Sequence, residues 1–395
     1  MKLCKGFYTL LIAQFLSALA DNALLFAAIA LLAKMQSPDW HTPLLQQFFV
    51  ISYIVLAPFV GSFADALPKG RVMFIANAIK FIGSLAMVLG MPPLYAYGIV
   101  GIGAAAYSPA KYGILTEMLP PDQLVSANGW MEGSTVIAII LGAIVGGILA
   151  SNDPGLAIII ITVLYMVAAV FNIYIPKLPI DHKLPKKNPV FMLMDFWYSF
   201  RALWQDARGQ VSLAVTTLFW GAGATLRLVV IAWAASALNF GLEQATQLMA
   251  VLAVGIAIGS IFAARYIKLE ESTRVLPAGI LMGLLVIGMA FVVHWQVAVV
   301  LLFIIGALAG FFVVPLNALL QHRGHELIGA GHSIAVQNFN EHIGILVMLG
   351  AYLLMVKAGV SIDFIVVVFG LFVSICMTFI HRRYRFIKPC SDSDK

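Results

Sequence analysis

Ionisable side chains stand inside stretches of this sequence that are otherwise apolar. They are Asp21 in SALADNALLF, Lys80 in ANAIKFIG, Lys111 in YSPAKYGILTE, Glu132, Arg227 in GAGATLRLVVIAW, and Glu341 with His342 in AVQNFNEH. A charge held in hydrocarbon costs about 2.5–3.5 kcal/mol on insertion scales, so such groups face a water-filled cavity or a partner. Asp21 is too short to reach an interface from its depth, which marks it for substrate or coupling-ion work, with a structural ion pair as the competing role. A guanidinium at Arg227 suits two-pronged binding of phosphate or carboxylate, and Gly221 and Gly223 beside it allow close helix approach. Lys111 follows Pro109 and sits near the end of its run, where it either joins a site or snorkels to the interface. Glu132 and Glu341 either bond helix to helix or line a polar path. Gln337, Asn338 and Asn340 around Glu341 favour the path, and Asn317 adds an amide one run earlier. Lys80 is expected in a structural pair, and His342 as a satisfied neighbour.

The elements that must hold these groups follow from composition. Residues are 62% hydrophobic and only 11% charged, against about 25% charged in soluble domains, and the apolar excess falls in blocks of roughly twenty. This pattern defines a polytopic all-α membrane protein, because a backbone in hydrocarbon must satisfy its own hydrogen bonds and no alternating barrel strands occur. Twelve spans are expected, at 7–34, 44–66, 71–90, 94–117, 124–150, 155–176, 211–238, 245–266, 273–294, 297–321, 328–357 and 361–381. With the N-terminus in the cytoplasm, 19 of the Lys and Arg residues border that side and only Lys34 and Lys357 the other. That asymmetry predicts both termini cytoplasmic and attributes the net charge of +6 to topology rather than to nucleic-acid binding. Lys2 and Lys5 ahead of an apolar core ending in Ala18-Leu19-Ala20 also resemble a signal peptide, but the run continues apolar to Ala33, which favours a span. Cys4, Cys376 and Cys390 support neither a disulfide nor a thiolate metal site.

The long polar stretch from 177 to 209, which includes an amphipathic segment FMLMDFWYSFRALW, divides the spans into bundles 1–176 and 210–395. Weak echoes relate the two bundles. Pro109 leads to Glu132 and Gly142, Pro315 leads to Glu341 and Gly350, and Asn128 and Gln337 each precede their glutamate by one helical turn. Such parallel repeats are the organisation of secondary transporters. Gly142 with Gly146, and Gly255 with Gly259, have the spacing that lets helices approach or slide, and are expected to serve helix packing and a lateral gate.

The loop GSFADALPKGR resembles the signature of the major facilitator superfamily between its second and third spans. Gly61, Asp65, Lys69 and Arg71 answer to it, with Pro68 where a glycine is usual. The resemblance implies a cytoplasmic gate in which Asp65 and Arg71 hold the halves together; Ala263 at the equivalent acidic position makes that gate lopsided. A more specific resemblance, carried by AQFLSALADNALLFA, GRVMFIANAIK, GAAAYSPAKYGILTE, LFWGAGATLR and GFFVVPLNALLQ, is to the bacterial lysophospholipid transporter (LplT) family. It implies inner-membrane movement of lysophosphatidylethanolamine and lysophosphatidylglycerol from the outer to the inner leaflet. There an acyltransferase/acyl-carrier-protein synthetase reacylates them. On that expectation Arg227 and Lys111 hold phosphate. Asp21 with Asn22 receives an ammonium, a hydroxyl or a coupling cation, sodium or proton, and no other cofactor is needed.

Two other classes fit less of the sequence. A proton-coupled exporter of amphipathic drugs shares the spacing of Gly133, Gly142 and Gly146, but Gly147, Ala150 and Ser151 depart from that motif. A membrane-embedded lipid-modifying enzyme needs a His-Asp pair or clustered carboxylates at a membrane face, and the sequence displays neither.

Overall fold

A computed structural model describes residues 5–38, 41–178 and 188–391. The linker stretch 179–187 with Lys183, Lys186 and Lys187, and the terminal Lys2, Cys4 and Lys395, lie outside the described residues. The described chain is helical, with no β-strand: α1 Lys5–Lys34, α2 His41–Ala66, α3 Lys69–Val88, α4 Pro93–Met118, α5 Pro121–Asn152, α6 Pro154–Ile173, α7 Pro189–Gln205, α8 Ala207–Leu238, α9 Leu242–Tyr266, α10 Leu276–Gly288, α11 Trp295–Ile328, α12 Ala330–Lys357 and α13 Ile362–Ser391. Breaks fall where local chemistry demands them. Pro68, Pro92 and Pro120 precede α3, α4 and α5 in extended conformation, and Pro154 opens α6 beneath an Asp153 side chain that accepts from the Gly155 N–H. Asn239, with φ 54°, and Gly329, with φ 93°, end α8 and α11 in the left-handed conformation.

Eleven helices among the described residues are long and apolar enough to cross a membrane. The expected span at 94–117 is helical as α4 but falls short of that hydropathy, because glycine, alanine, serine and tyrosine replace large aliphatics along it. Many of those small residues are buried, so α4 works as an inner helix packed on α2 and α3 rather than as a lipid-facing one. The expected span at 273–294 is a composite, with 3₁₀ turns at Leu269–Val275 and Met289–Phe291 flanking α10. The amphipathic segment of the linker is α7, and α13 runs past the expected end at 381 through the basic stretch that follows.

The chain packs as two compact units whose limits differ from the expected halves. Unit 1 comprises Met1–Pro120, Ile137–Ala202 and Gly324–Phe339; unit 2 comprises Pro121–Val136, Leu203–Arg323 and Asn340–Lys395. The start of α5 therefore packs in unit 2, and the start of α12 in unit 1. Side chains explain the exchange. Asn128 on α5 trades paired amide hydrogen bonds with Gln321 on α11 at 2.9 and 2.8 Å, while backbone N–H groups at the start of α12 are taken by Asp65 on α2.

Candidate functional site

In unit 1 the α1 positions 14, 17 and 21 fall on one helical face, which places Gln14, Ser17 and Asp21 in a row. Opposite them α3 presents Asn77 and Lys80, one turn apart. Lys80 Nζ lies 2.7 Å from Asp21 Oδ2 and donates to Ser17 Oγ at 3.0 Å, and Ser17 donates to Asn77 Oδ1 at 2.7 Å. The Tyr165 hydroxyl on α6 donates to the other Asp21 oxygen at 2.8 Å. Lys80 is fully buried, its ammonium 4.8 Å from the Tyr107 ring centre, so the pair exchanges water for two ring faces and a hydroxyl ladder. A glycine makes room for it: a Cβ at Gly103 on α4 would come within 2.7 Å of Lys80 Cγ.

These groups line a cavity of ≈ 80 Å³ together with Gln14, Tyr53, Ser108 and Lys111. Lys111 Nζ lies 3.5 Å from Gln14 Oε1 and 4.3 Å from the Tyr112 ring centre. Ser108 exchanges hydrogen bonds with Asn338 at 2.9 and 3.3 Å, so an amide from the start of α12 reaches the same region. The lining carries the ammonium groups of Lys80 and Lys111 and the carboxylate of Asp21. The cavity is small beside ligand clefts of about 300–1,000 Å³.

Other expected site residues are placed differently. Asn22 does not join Asp21; its amide donates to the Ala18 carbonyl of its own helix at 2.8 Å, and its Cβ packs on Gly142. Gln337 is buried at the start of α12 in unit 1, while Glu341 is buried farther along the same helix in unit 2. In unit 2, Glu132 accepts from Asn317 at 3.3 Å within the α5–α11 contact that holds Asn128, a helix-to-helix bond of the kind the sequence left open. Arg227 is exposed on α8 with no ion pair among the described residues, so its guanidinium is available to an anion. At the start of α8, burial pushes the Asp206 carboxyl up, but hydrogen bonds from Arg323 and the Gly209 N–H outweigh it and hold the group below the ordinary carboxylate range.

The glycines are filled contacts. A Cβ at Gly146 would lie 2.5 Å from the Ala23 carbonyl and one at Gly142 2.8 Å from that of Leu19, so both press α5 onto α1 in unit 1. A Cβ at Gly255 or Gly259 would overlap the Phe303 or Ala307 carbonyl, which presses α9 onto α11 in unit 2. Their contacts describe packing inside each unit.

The signature loop forms a second cluster in unit 1. Asp65, buried at the end of α2, accepts from the backbone N–H of Gly331 at 2.7 Å and of His332 at 3.0 Å, from Lys69 Nζ at 2.6 Å, and contacts His332 Nδ1 at 2.7 Å. Lys69 also pairs with Glu117 on α4 at 3.0 Å, and His332 Nε2 reaches Asp195 on α7 at 2.9 Å. A Cβ at Gly61 would lie 3.0 Å from the His332 Cα, so this glycine admits α12. Arg71, expected to share the work of Asp65, is exposed and has no ion pair among the described residues, because Lys69 at the start of α3 reaches the carboxylate first. Glu117, Asp195 and His332 escaped the sequence reading, since each lies near a helix end or on the linker, where a polar residue carries no signal.

The family model of the Major Facilitator Superfamily matches residues 10–349. The lysophospholipid transporter LplT of Yersinia enterocolitica is 48% identical over 362 residues, covering 91% of this chain and 89% of that protein. The protein of the same name from Yersinia pestis has the same identity and coverage. Among solved structures, the transporter FucP in its outward conformation covers 97% of this chain and 98% of its own, with a TM-score of 0.76 at 14% identity. A bacterial homologue of the iron transporter ferroportin, in an outward-facing state, has a TM-score of 0.76 at 16% identity over 97% and 100%. At those identities the likeness is one of fold.

Proposed function

We infer the activity from one premise: this chain belongs to the lysophospholipid transporter family of the major facilitator superfamily. It is a multi-pass membrane transporter. Its substrates are lysophospholipids with ethanolamine or glycerol headgroups, moved from the outer to the inner leaflet of a bacterial inner membrane by alternating access. An acyltransferase/acyl-carrier-protein synthetase on the inner side then restores the second chain. The Lys and Arg asymmetry supports cytoplasmic termini in this reading.

The observation that carries this reading is the small cavity in unit 1 with two ammonium groups against one carboxylate. A lysophospholipid presents a phosphodiester of single negative charge on one acyl chain. The cavity offsets that charge with Lys111 and Lys80, while the chain remains outside in apolar surroundings. Arg227, exposed on α8 in unit 2, is a further cation that an anion can reach. Asp21 already bonds Lys80 and Tyr165, so when a phosphate draws Lys80 away its carboxylate is left to take the headgroup ammonium or a coupling sodium ion or proton.

The test is leaflet-resolved uptake of labelled lysophosphatidylethanolamine and lysophosphatidylglycerol into proteoliposomes, with and without sodium or proton gradients. Lys111→Gln and Arg227→Ala, at equal protein in the membrane, are expected to cut uptake of both lipids by at least an order of magnitude. Uptake at the wild-type rate in both variants removes these cations from the site, and chemical conversion of the lysolipid without movement overturns the transporter reading.

A further inference from the structure

The amphipathic linker helix α7 carries large apolar side chains on its exposed face as well as on its buried one. Phe196 and Ser199 are buried, and Phe196 and Phe200 meet Phe339 edge-on at 5.4 and 6.2 Å, which anchors the inner face. Val190, Met194, Trp197 and Arg201 recur at helical spacing along the opposite face, flanked by Leu193 and Tyr198. The apolar members of that outer set are 49–69% exposed. A solvated linker would place polar side chains there, so this face has a partner.

The position of α7 identifies the partner's chemistry. Asp195 holds the helix to His332 at 2.9 Å, and His332 in turn bonds Asp65. α7 is thereby fixed where α2 stops at Ala66 and α12 starts at Ala330, the ends of two spans. At that level water meets hydrocarbon, and Trp, Tyr and a snorkelling Arg are the side chains that settle there. The single acidic residue of α7 is Asp195, which is engaged with His332. What remains on the outer face is one cation, Arg201, 5.2 Å from the Trp197 ring centre, with exposed Arg208 just beyond the helix.

We propose that α7 is seated in the headgroup layer of the bilayer, with its outer face at the acyl boundary and Arg201 on the phosphate of an anionic lipid. A second copy of this chain or a soluble partner would meet the apolar stripe equally well, but neither accounts for a face with one sign of charge at membrane level. This site lies on the linker and is independent of the substrate cavity.

The test uses the full chain with Cys4, Cys376 and Cys390 replaced by Ser and one spin-labelled cysteine, Met194→Cys, in nanodiscs of phosphatidylcholine alone or mixed with phosphatidylglycerol. Lys268→Cys, exposed between α9 and the 3₁₀ turn that follows and outside any span, is the water-side control. The label at 194 is expected to be several-fold less accessible than the control to a water-soluble nickel chelate and more accessible to oxygen. Phosphatidylglycerol should strengthen the exclusion, and Arg201→Gln should abolish that gain. Val190→Cys on the same stripe reports the same seat where the first variant folds poorly. Nickel access equal to that of the control, or protection that vanishes on diluting protein among nanodiscs, overturns the proposal. A phosphatidylglycerol effect unchanged by Arg201→Gln overturns the anionic-lipid contact.

Discussion

The pairing of Asp21 with Lys80 sets the cost of altering either one. Breaking a buried ion pair on one side leaves an uncompensated charge and costs about 3–5 kcal/mol; a carboxylate that keeps some contact with the cavity reduces this to roughly 1–3 kcal/mol for Lys80→Gln. Asp21→Asn leaves Lys80 charged among rings and is expected to cost more. The double variant, free of both charges, should be more stable in detergent melts than either single variant. Additive losses in that cycle would show that the two residues do not act as a pair. The sequence exposed Asp21 because a carboxylate inside an apolar run has no ordinary explanation. It did not name Lys80 as the partner, since nothing local links positions 59 residues apart. Ser17, Asn77 and Tyr165 are uncharged and pass for ordinary span residues until the fold brings them together.

Every expected span is helical, α4 within a residue of its expected ends although its hydropathy falls short, whereas the composite around α10 and the full lengths of α11 and α13 were not foreseen. α4 is a helix because it is wrapped by α2 and α3, so its small residues lower its hydropathy without unfolding it. Pro277 at the start of α10 contributes no N–H, and the turn before it is 3₁₀ rather than α. Glycine spacing correctly announced close packing, yet no spacing names the helix that is approached. Because the Gly146 and Gly259 positions are occupied by neighbouring carbonyls, Gly146→Leu should separate α5 from α1 and Gly259→Leu should separate α9 from α11. Each substitution is expected to lower stability by about 1–3 kcal/mol or more, as overpacking does. Gly133→Leu, at a glycine with open space around its Cβ, is the control. A control that loses as much as the other two would refute the packing argument.

At the scale of the whole molecule, the duplicated pattern Pro109…Glu132 and Pro315…Glu341 was visible, but not that Glu132 packs in unit 2 apart from Pro109, or that Gln337 packs in unit 1 apart from Pro315 and Glu341. Sequence order suggests halves that are closed on themselves, whereas hydrogen bonds to Asp65 and Gln321 recruit the first turns of α12 and α5 into the other unit. Chains cut in the linker, 1–209 and 210–395, are therefore expected to co-purify when made together. The fragment 1–209 made alone should be cleaved by protease faster than the same segment in the intact protein. Independent, protease-resistant fragments that do not associate would contradict the exchange. The same arrangement sets a timetable for biosynthesis. Asp65 and Lys69 leave the ribosome about 260 residues before Gly331 and His332, and at roughly 5–20 residues per second their carboxylate waits some 10–50 s for its final donors. During that interval the newborn first unit carries an acid with only Lys69 to balance it, a period in which an insertion chaperone has most to protect.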